Sequence, residues 1–399
     1  MGRVGLVAGF AVLLCTAAAA WSQESEEGLR PALGDVPPDA VAGPLTTQTP
    51  LPAIEAPIRR TRAASDDRLG IGPPVLRLFS SVEIGAFVSS NGDRASGGTG
   101  VDAGLLLAPS LRLQSNWARH EWVASGSIQG EYFFQQDDVA VTAAALQSGF
   151  RLDIRRTTTA DLDVGYSATS DDGGDLEHTF DSSAAITHDF GGITSRLQVG
   201  ATRTEGGTTD STEANIALRG TMNSNAILRP FAALTYAPRF GDNGGTSHGG
   251  SLAAGFAFDN APFLTGEASL VYELRESGGG TIGAVGLESA VAWTPTDFTT
   301  VEFASTLALP DTATSVRRQW TAALEVSHAI SDHVTLFGGA DIDMEDSETG
   351  TDVTLASDLG VAWQHNPYFG WSLRYENEFA LAGDGIEEHR LIASIILNR

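Results

Sequence analysis

Histidine is the side chain here best suited to metal ligation or proton transfer. His120, His178, His188, His248, His328, His333, His365 and His389 show none of the spacings such chemistry uses, with no HxxxH or HExxH pair. His328 and His333 flank one short polar segment, which suits hydrogen bonding at an interface better than a zinc site. No GxSxG motif occurs, and nothing isolates one histidine–serine–acid set among so many serines. The segment DIDMEDSETGTD places Asp341, Asp343, Glu345 and Asp346 like calcium ligands. Its sixth position is Asp346 where the loop needs glycine, and its twelfth is Asp352 where glutamate is usual. It reads as a solvated loop. GGTGVDAG lacks the context of a nucleotide fingerprint and reads as a loop entering a strand. Cys15 is the only cysteine and lies in an apolar leader, so a mature chain has no thiol chemistry. The expectation is a protein that is not an enzyme, with no catalytic residues, no cofactor and no metal.

The remaining chemistry lies in charges that alternate with apolar residues. Leu162, Val164, Tyr166 and Ala168 stand against Asp161, Asp163, Gly165 and Ser167. Leu264, Ala268, Leu270, Tyr272 and Leu274 stand against Thr265, Glu267, Ser269, Glu273 and Arg275, and Phe369, Trp371, Leu373 and Tyr375 against Gly370, Ser372, Arg374 and Glu376. Period two is the signature of a strand with an oily face and a wet face. It holds from Val75 to the end, mostly in phases of about ten to thirteen residues, long enough to cross a bilayer when tilted and longer than the strands of soluble sandwiches.

The connections sort into two sets. SNWARHEW, RRTTTADL, HDFGGITS, NSNAILRP, DNAPFLTG, TPTDFTTV, ISDHVTLF and QHNPYFGW are short, and a longer, glycine-rich, mostly acidic set, such as SDDGGDLEHT and RFGDNGGTSHGG, alternates strictly with them. The pattern predicts an all-β fold: a transmembrane antiparallel up-and-down β-barrel of about eighteen strands, with short periplasmic turns and longer outer loops. Aromatics gather at both strand ends as interface belts. Trp117, Trp122, Phe190, Phe231, Phe263, Trp293, Phe298, Phe337, Trp363, Tyr368, Phe369 and Trp371 sit by the short turns, and Tyr166, Phe180, Tyr236, Phe240, Trp320 and Phe379 by the long loops. Most point outward on this reading, with Phe133 and Phe337 as exceptions.

The N-terminus agrees. Residues 1–22 have a basic Arg3, an apolar run and small residues ending at Ala20, the pattern of a secretory signal peptide. Residues 23–74 are rich in proline and alanine and lack aromatics, as expected of a disordered periplasmic extension, and residues 75–399 form the barrel. No later run is long and apolar enough for a transmembrane helix. A net charge of −26, with arginine as the only strong base, argues against nucleic acid. The expected place is the outer membrane of a Gram-negative bacterium, N-terminus in the periplasm. Expected partners are outer-membrane lipid and lipopolysaccharide, the barrel-assembly machinery, and a further copy of the chain in a homo-oligomer.

Eighteen strands leave a water-filled channel. The phases assign to its wall Glu131, Arg151, Asp153, Asp161, Asp163, Arg196, Arg219, Arg229, Glu267, Glu273, Arg275, Glu288, Glu302, Glu325, Asp341, Asp343, Asp358, Arg374, Glu376 and Glu378. Acids outnumber bases, so passive diffusion of small hydrophilic solutes with a weak preference for cations is the expected function. Any one of these charges could instead brace the wall through ion pairs and select nothing.

One turn also carries a likeness. LQSNWARHEW, with Ser115, Asn116, Trp117, Ala118, Arg119 and His120, resembles an early short turn of the outer-membrane family of proteobacteria called putative β-barrel porin type 2. The resemblance covers residues 75–399 and implies an outer-membrane pore. Some similar proteins are associated with exopolysaccharide export, so the alternatives are an export barrel or a non-conducting structural or adhesive barrel. The chain departs from many such barrels in ending at Arg399 where they end in an aromatic. The turn itself reads as an anchoring device, its aromatics at the interface and Arg119 and His120 toward lipid phosphate or the barrel rim.

Overall fold

Period-two patterning gives every strand two chemically different faces, and in hydrocarbon such strands satisfy their backbone only by closing into a ring. The computed structural model describes residues 76–91, 100–135, 138–170, 176–206, 210–224, 226–241, 246–258, 263–277, 280–308, 316–347, 350–383 and 387–399. The signal segment 1–22 and the extension 23–74 lie outside the described residues, as do parts of the loops.

Eighteen strands follow in order: β1 (Leu76–Ser89), β2 (Asp102–Ser115), β3 (His120–Phe133), β4 (Asp138–Arg155), β5 (Thr158–Thr169), β6 (Glu177–Asp189), β7 (Ile193–Glu205), β8 (Ser211–Met222) and β9 (Arg229–Gly241). The second half comprises β10 (Thr246–Ala257), β11 (Leu264–Ser277), β12 (Gly280–Thr296), β13 (Thr299–Ala308), β14 (Val316–Ser331), β15 (Val334–Ser347), β16 (Thr351–Asn366), β17 (Phe369–Ala382) and β18 (Glu388–Asn398). Each pairs antiparallel with its neighbours in sequence, and β1 pairs with β18 from Ser81↔Asn398 to Ser89↔Arg390, which closes the ring. Arg399 and Ser80 exchange two backbone hydrogen bonds at the seam.

The outward face is apolar and uncovered, as in Leu105, Leu107 and Leu111 on β2 and Leu391, Ile395 and Leu397 on β18. Exposure on this scale would be unstable in water and is natural against lipid. The start of β1 and the end of β18 lie at one mouth, here the termini end, and the opposite mouth is the far end.

Four turns at the termini end share a device. Asp189, Thr296, Ser331 and Asn366 each accept a hydrogen bond on their side-chain oxygen from the backbone N–H two residues on, at 2.7, 3.2, 3.3 and 2.8 Å. Such Asx- and Ser/Thr-type turns reverse the chain tightly and leave Phe190, Phe298 and Tyr368 exposed at the boundary.

The strict alternation of short and long connections holds only in part. At the termini end the gap between Met222 and Arg229 is wider than the far-end gap between Ser277 and Gly280. Backbone pairing carries β11 and β12 out to Ser277 and Gly280, which satisfies N–H and C=O groups that an open loop would leave to water.

Candidate functional site

The inner face carries the charges, and they fall into four regions around the ring. Two are closed. Every inward residue of β11 from Thr265 to Arg275 is buried: Thr265, Glu267, Ser269, Val271, Glu273 and Arg275. The neighbouring face of β10 consists of Ser247, Gly249, Ser251, Ala253, Gly255 and Ala257, all small. Half a ring away, β1, β2, β3 and β18 bury Phe87, Leu106, Phe133 and Ile392 as one cluster, with Phe87 and Phe133 edge to face at 5.1 Å.

The same clasp holds both closed regions. Arg219 on β8 pairs with Glu267 on β11, Nη1 to Oε1 at 2.8 Å and Nη2 to Oε2 at 2.5 Å, and its guanidinium lies 3.9 Å over the Phe231 ring. Arg390 on β18 pairs with Glu131 on β3 at 2.8 Å and lies 3.9 Å over the Phe87 ring. Each pair joins strands three places apart, a gap of about 14 Å in a flat sheet at ~4.8 Å per strand. Arginine and glutamate side chains meet across it only where the wall bends sharply inward. Arg275 reaches Glu213 of β8 at 3.9 Å and tightens the same bend toward the far end.

Small residues permit the bends. A Cβ on Gly104 would lie 2.4 Å from the Phe87 ring, and one on Gly249 would meet the Arg275 guanidinium at 3.2 Å. The wall is thus creased at two opposite places, and the space between is a slot with two open sides.

The side formed by β13–β17 is acidic. Glu302 pairs in register with Glu325, Glu325 with Gly339, Gly339 with Asp358 and Asp358 with Glu376, so four carboxylates lie in one row across the wall. Asp341 stands on the same face, and Gln319 donates to Asp343 at 3.0 Å. Arg374 answers only in part, with Nε 2.9 Å from Glu376. The facing side, β4–β7, is mixed: Arg196 on β7 bonds Asp161 on β5 at 2.9 Å, Arg151 approaches Asp153 at 3.5 Å, and Asp163 and Asp181 share that face.

Glu131, Arg219, Glu267 and Arg275 therefore belong to the creases. Arg151, Asp153, Asp163, Arg196, Glu302, Glu325, Asp341, Arg374 and Glu376 belong to the open sides. The reading by phase omitted Asp181, Glu213 and Arg390, although the alternation around Phe180, Ser182 and Ala184 does mark Asp181 as inward. Among the aromatics, Phe231 is a correction: it faces inward under Arg219 rather than joining the boundary belt, and Phe87 is a further inward ring. Leu234 and Tyr236 point outward on β9, and a two-residue period places Phe231 opposite them.

The turn at residues 115–120 binds the next hairpin. Ser115 Oγ accepts from the Trp122 backbone N–H at 2.7 Å, His120 Nδ1 accepts from the Asp153 N–H at 3.2 Å, and Arg119 donates to the Asp153 carbonyl at 3.3 Å. Trp122 stacks on Phe150 at 5.9 Å and donates to Ser148 Oγ at 2.9 Å, while Trp117 meets the Phe150 ring at 6.3 Å, tilted by 39°. Asn116 adjoins this cluster in sequence. Among the described residues no group of three or more histidine, cysteine, aspartate or glutamate side chains is set to hold a metal ion.

A closed antiparallel barrel with lipid-compatible residues outside and charges inside is an outer-membrane pore barrel, and this architecture points to a channel rather than an enzyme. The family model described as putative beta-barrel porin 2 matches residues 76–395, and the chain belongs to that family. No curated protein sequence matches the chain. Among solved structures, it is similar to OpdL of Pseudomonas aeruginosa at 12% identity and TM-score 0.45, covering 81% of this chain and 99% of that one. OpdK of the same species is similar at 8% identity, with TM-score 0.45 and the same coverage. The siderophore receptor PirA from Pseudomonas aeruginosa is similar at 11% identity and TM-score 0.41, covering 82% and 81%. Similarity at this level carries no statement about cargo.

Proposed function

We propose that this barrel is a passive, weakly cation-preferring channel for small hydrophilic solutes, with its termini end in the periplasm and its far end outside the cell. The register row Glu302, Glu325, Asp358 and Glu376 carries the cation preference, because one side of the slot offers hydrated solutes a line of carboxylates with little opposing charge. The glycine-rich and acidic far-end segments suit the outer surface, and the tight turns suit the periplasmic side.

Reversal potential in a planar bilayer under a salt gradient tests the sign. A potential of the sign set by cation flux is expected, and an anion-selective potential rejects the preference. Protease accessibility of whole cells tests orientation, with cleavage expected only in far-end segments.

An export barrel for polysaccharide would need inward aromatics free to touch sugar. Phe87 and Phe133 are buried against each other and Phe231 lies beneath Arg219, so three of the inward rings are already occupied. A non-conducting barrel would give no current at all in the same bilayer recording.

A further inference from the structure

The outward face at the far end repeats one arrangement that the pore does not use. The Tyr166 hydroxyl lies 3.0 Å from His178 Nδ1, the Tyr236 hydroxyl 3.0 Å from His248 Nδ1 and the Tyr375 hydroxyl 2.8 Å from His389 Nδ1. In each pair the rings are nearly parallel, at 17°, 9° and 16°. The histidines stand on β6, β10 and β18, and Arg318 takes the corresponding place on β14. From β6 to β18 a cation-capable side chain thus recurs on every fourth strand, always toward lipid and always at the same mouth.

An acid accompanies three of the four. His178 is in register with Glu205, His248 with Glu276 and Arg318 with Asp346. Arg203 holds Glu205 at 2.6 Å, and Arg318 holds Asp346 at 3.1 Å. His389 differs, standing in register with Asn377 and donating a hydrogen bond from its backbone N–H to Ser90 Oγ.

When the phenol O–H donates to Nδ1, the ring proton sits on Nε2 and calls for an acceptor, which a neighbouring carboxylate or a headgroup oxygen can supply. Hydrocarbon supplies none, and an unmade hydrogen bond there costs several kcal/mol, so the pairs mark the depth at which polar headgroups begin. Imidazole and guanidinium donors suit phosphate, the neighbouring carboxylates accept from hydroxyls, and flat Tyr–His faces suit the C–H side of a sugar ring. Phosphate, hydroxyls and sugar rings occur together in a phosphorylated glycolipid and not in a simple phospholipid.

We propose that this rim binds a phosphorylated glycolipid of the outer leaflet, with the Tyr166–His178, Tyr236–His248 and Tyr375–His389 pairs as three headgroup contacts. The assignment to the outer leaflet rests on the orientation given above. Binding itself does not, nor does it depend on conductance, so its test can fail while the pore reading stands, and the reverse.

The test is native mass spectrometry of the full barrel in detergent with three probes: doubly phosphorylated lipid A, its dephosphorylated form, and phosphatidylglycerol. The wild type is expected to retain doubly phosphorylated lipid A. The combined His178→Phe, His248→Phe and His389→Phe variant, which keeps an aromatic ring at each place, should retain roughly tenfold less. Equal retention by variant and wild type overturns the proposal, as does equal retention of phosphatidylglycerol or of dephosphorylated lipid A by the wild type. If that variant fails to fold, the combined Tyr166→Phe, Tyr236→Phe and Tyr375→Phe variant removes only three hydroxyls and is read by the same two criteria.

Discussion

Arg219 of β8 and Glu267 of β11 form a two-pronged ion pair between strands that are not neighbours, with the arginine laid on Phe231. Glu267 is only 6% exposed, so removing its partner strands a carboxylate in the bend. We expect Arg219→Ala to cost about 3 kcal/mol, as for other broken buried pairs, and Arg219→Met with Glu267→Leu to recover most of that. Denaturant unfolding of the refolded barrel in detergent, followed by tryptophan fluorescence, reads both values. A loss no larger than that of an exposed pair would show that the bend does not depend on this clasp.

Arg390 and Glu131 hold the opposite crease, so opening it should widen the slot rather than merely loosen the wall. The Arg390→Ala variant is expected to show a larger single-channel conductance than wild type, and Arg219→Ala combined with Arg390→Ala a larger one still. Unchanged conductance in both would mean that another part of the barrel sets its width.

The acid row predicts both selectivity and its dependence on salt. Combined Glu302→Gln, Glu325→Gln and Asp358→Asn should bring the reversal potential to nearly zero without lowering stability, because like charges in register repel one another. In wild type the preference should be larger at 0.1 M salt, where screening acts over about 10 Å, than at 1 M, where it acts over about 3 Å. Selectivity that survives 1 M salt would point to a narrow binding site instead of a charged wall.

Backbone geometry makes one glycine hard to replace. Gly266 has φ 121°, and a Cβ there would lie 2.0 Å from the Ala290 carbonyl oxygen on β12. Gly266→Ala should cost at least about 2 kcal/mol and lower refolding yield, through strain and a parted ladder together. Gly192→Ala, with nothing within 4 Å of the added carbon, should change stability by less than about 0.5 kcal/mol. Refolding yield on a heat-modifiability gel distinguishes the two.

The 115–120 turn should matter for assembly and not for conduction. Ser115→Ala and His120→Ala each remove one hydrogen bond that ties the turn to neighbouring strands, at an expected cost of about 1 kcal/mol each. Reversal potential should stay at the wild-type value, and a shift would draw the turn into the ion path.

How much of this could be read beforehand differed by strand. On β5, β11 and β17 one face is apolar and the other charged, so the inward residues follow from period two alone. On β18 both faces are largely apolar, Leu391 and Ile395 alternating with Ile392 and Ile396, and Arg390 has no clear phase until β1 and β17 fix the register. Phe231 departs from its expected place for another reason. A ring beside a short turn resembles an interface anchor, and that likeness overrode the alternation that places it inward.

The amino-acid sequence by itself determined the strand number, which face of most strands meets lipid, and that the pore wall is acidic, because these depend on local alternation and on charge. Only the tertiary structure decided that Arg219 meets Glu267, that Arg390 meets Glu131, and that the lumen is a slot with one acidic side. Those contacts join strands three apart. Arg390 meets Glu131 only once β18 has closed on β1, and Arg219 meets Glu267 only once β8–β11 have paired; in each case small inner residues, those of β10 and the glycine beneath Phe87, let the wall bend far enough for side chains to reach.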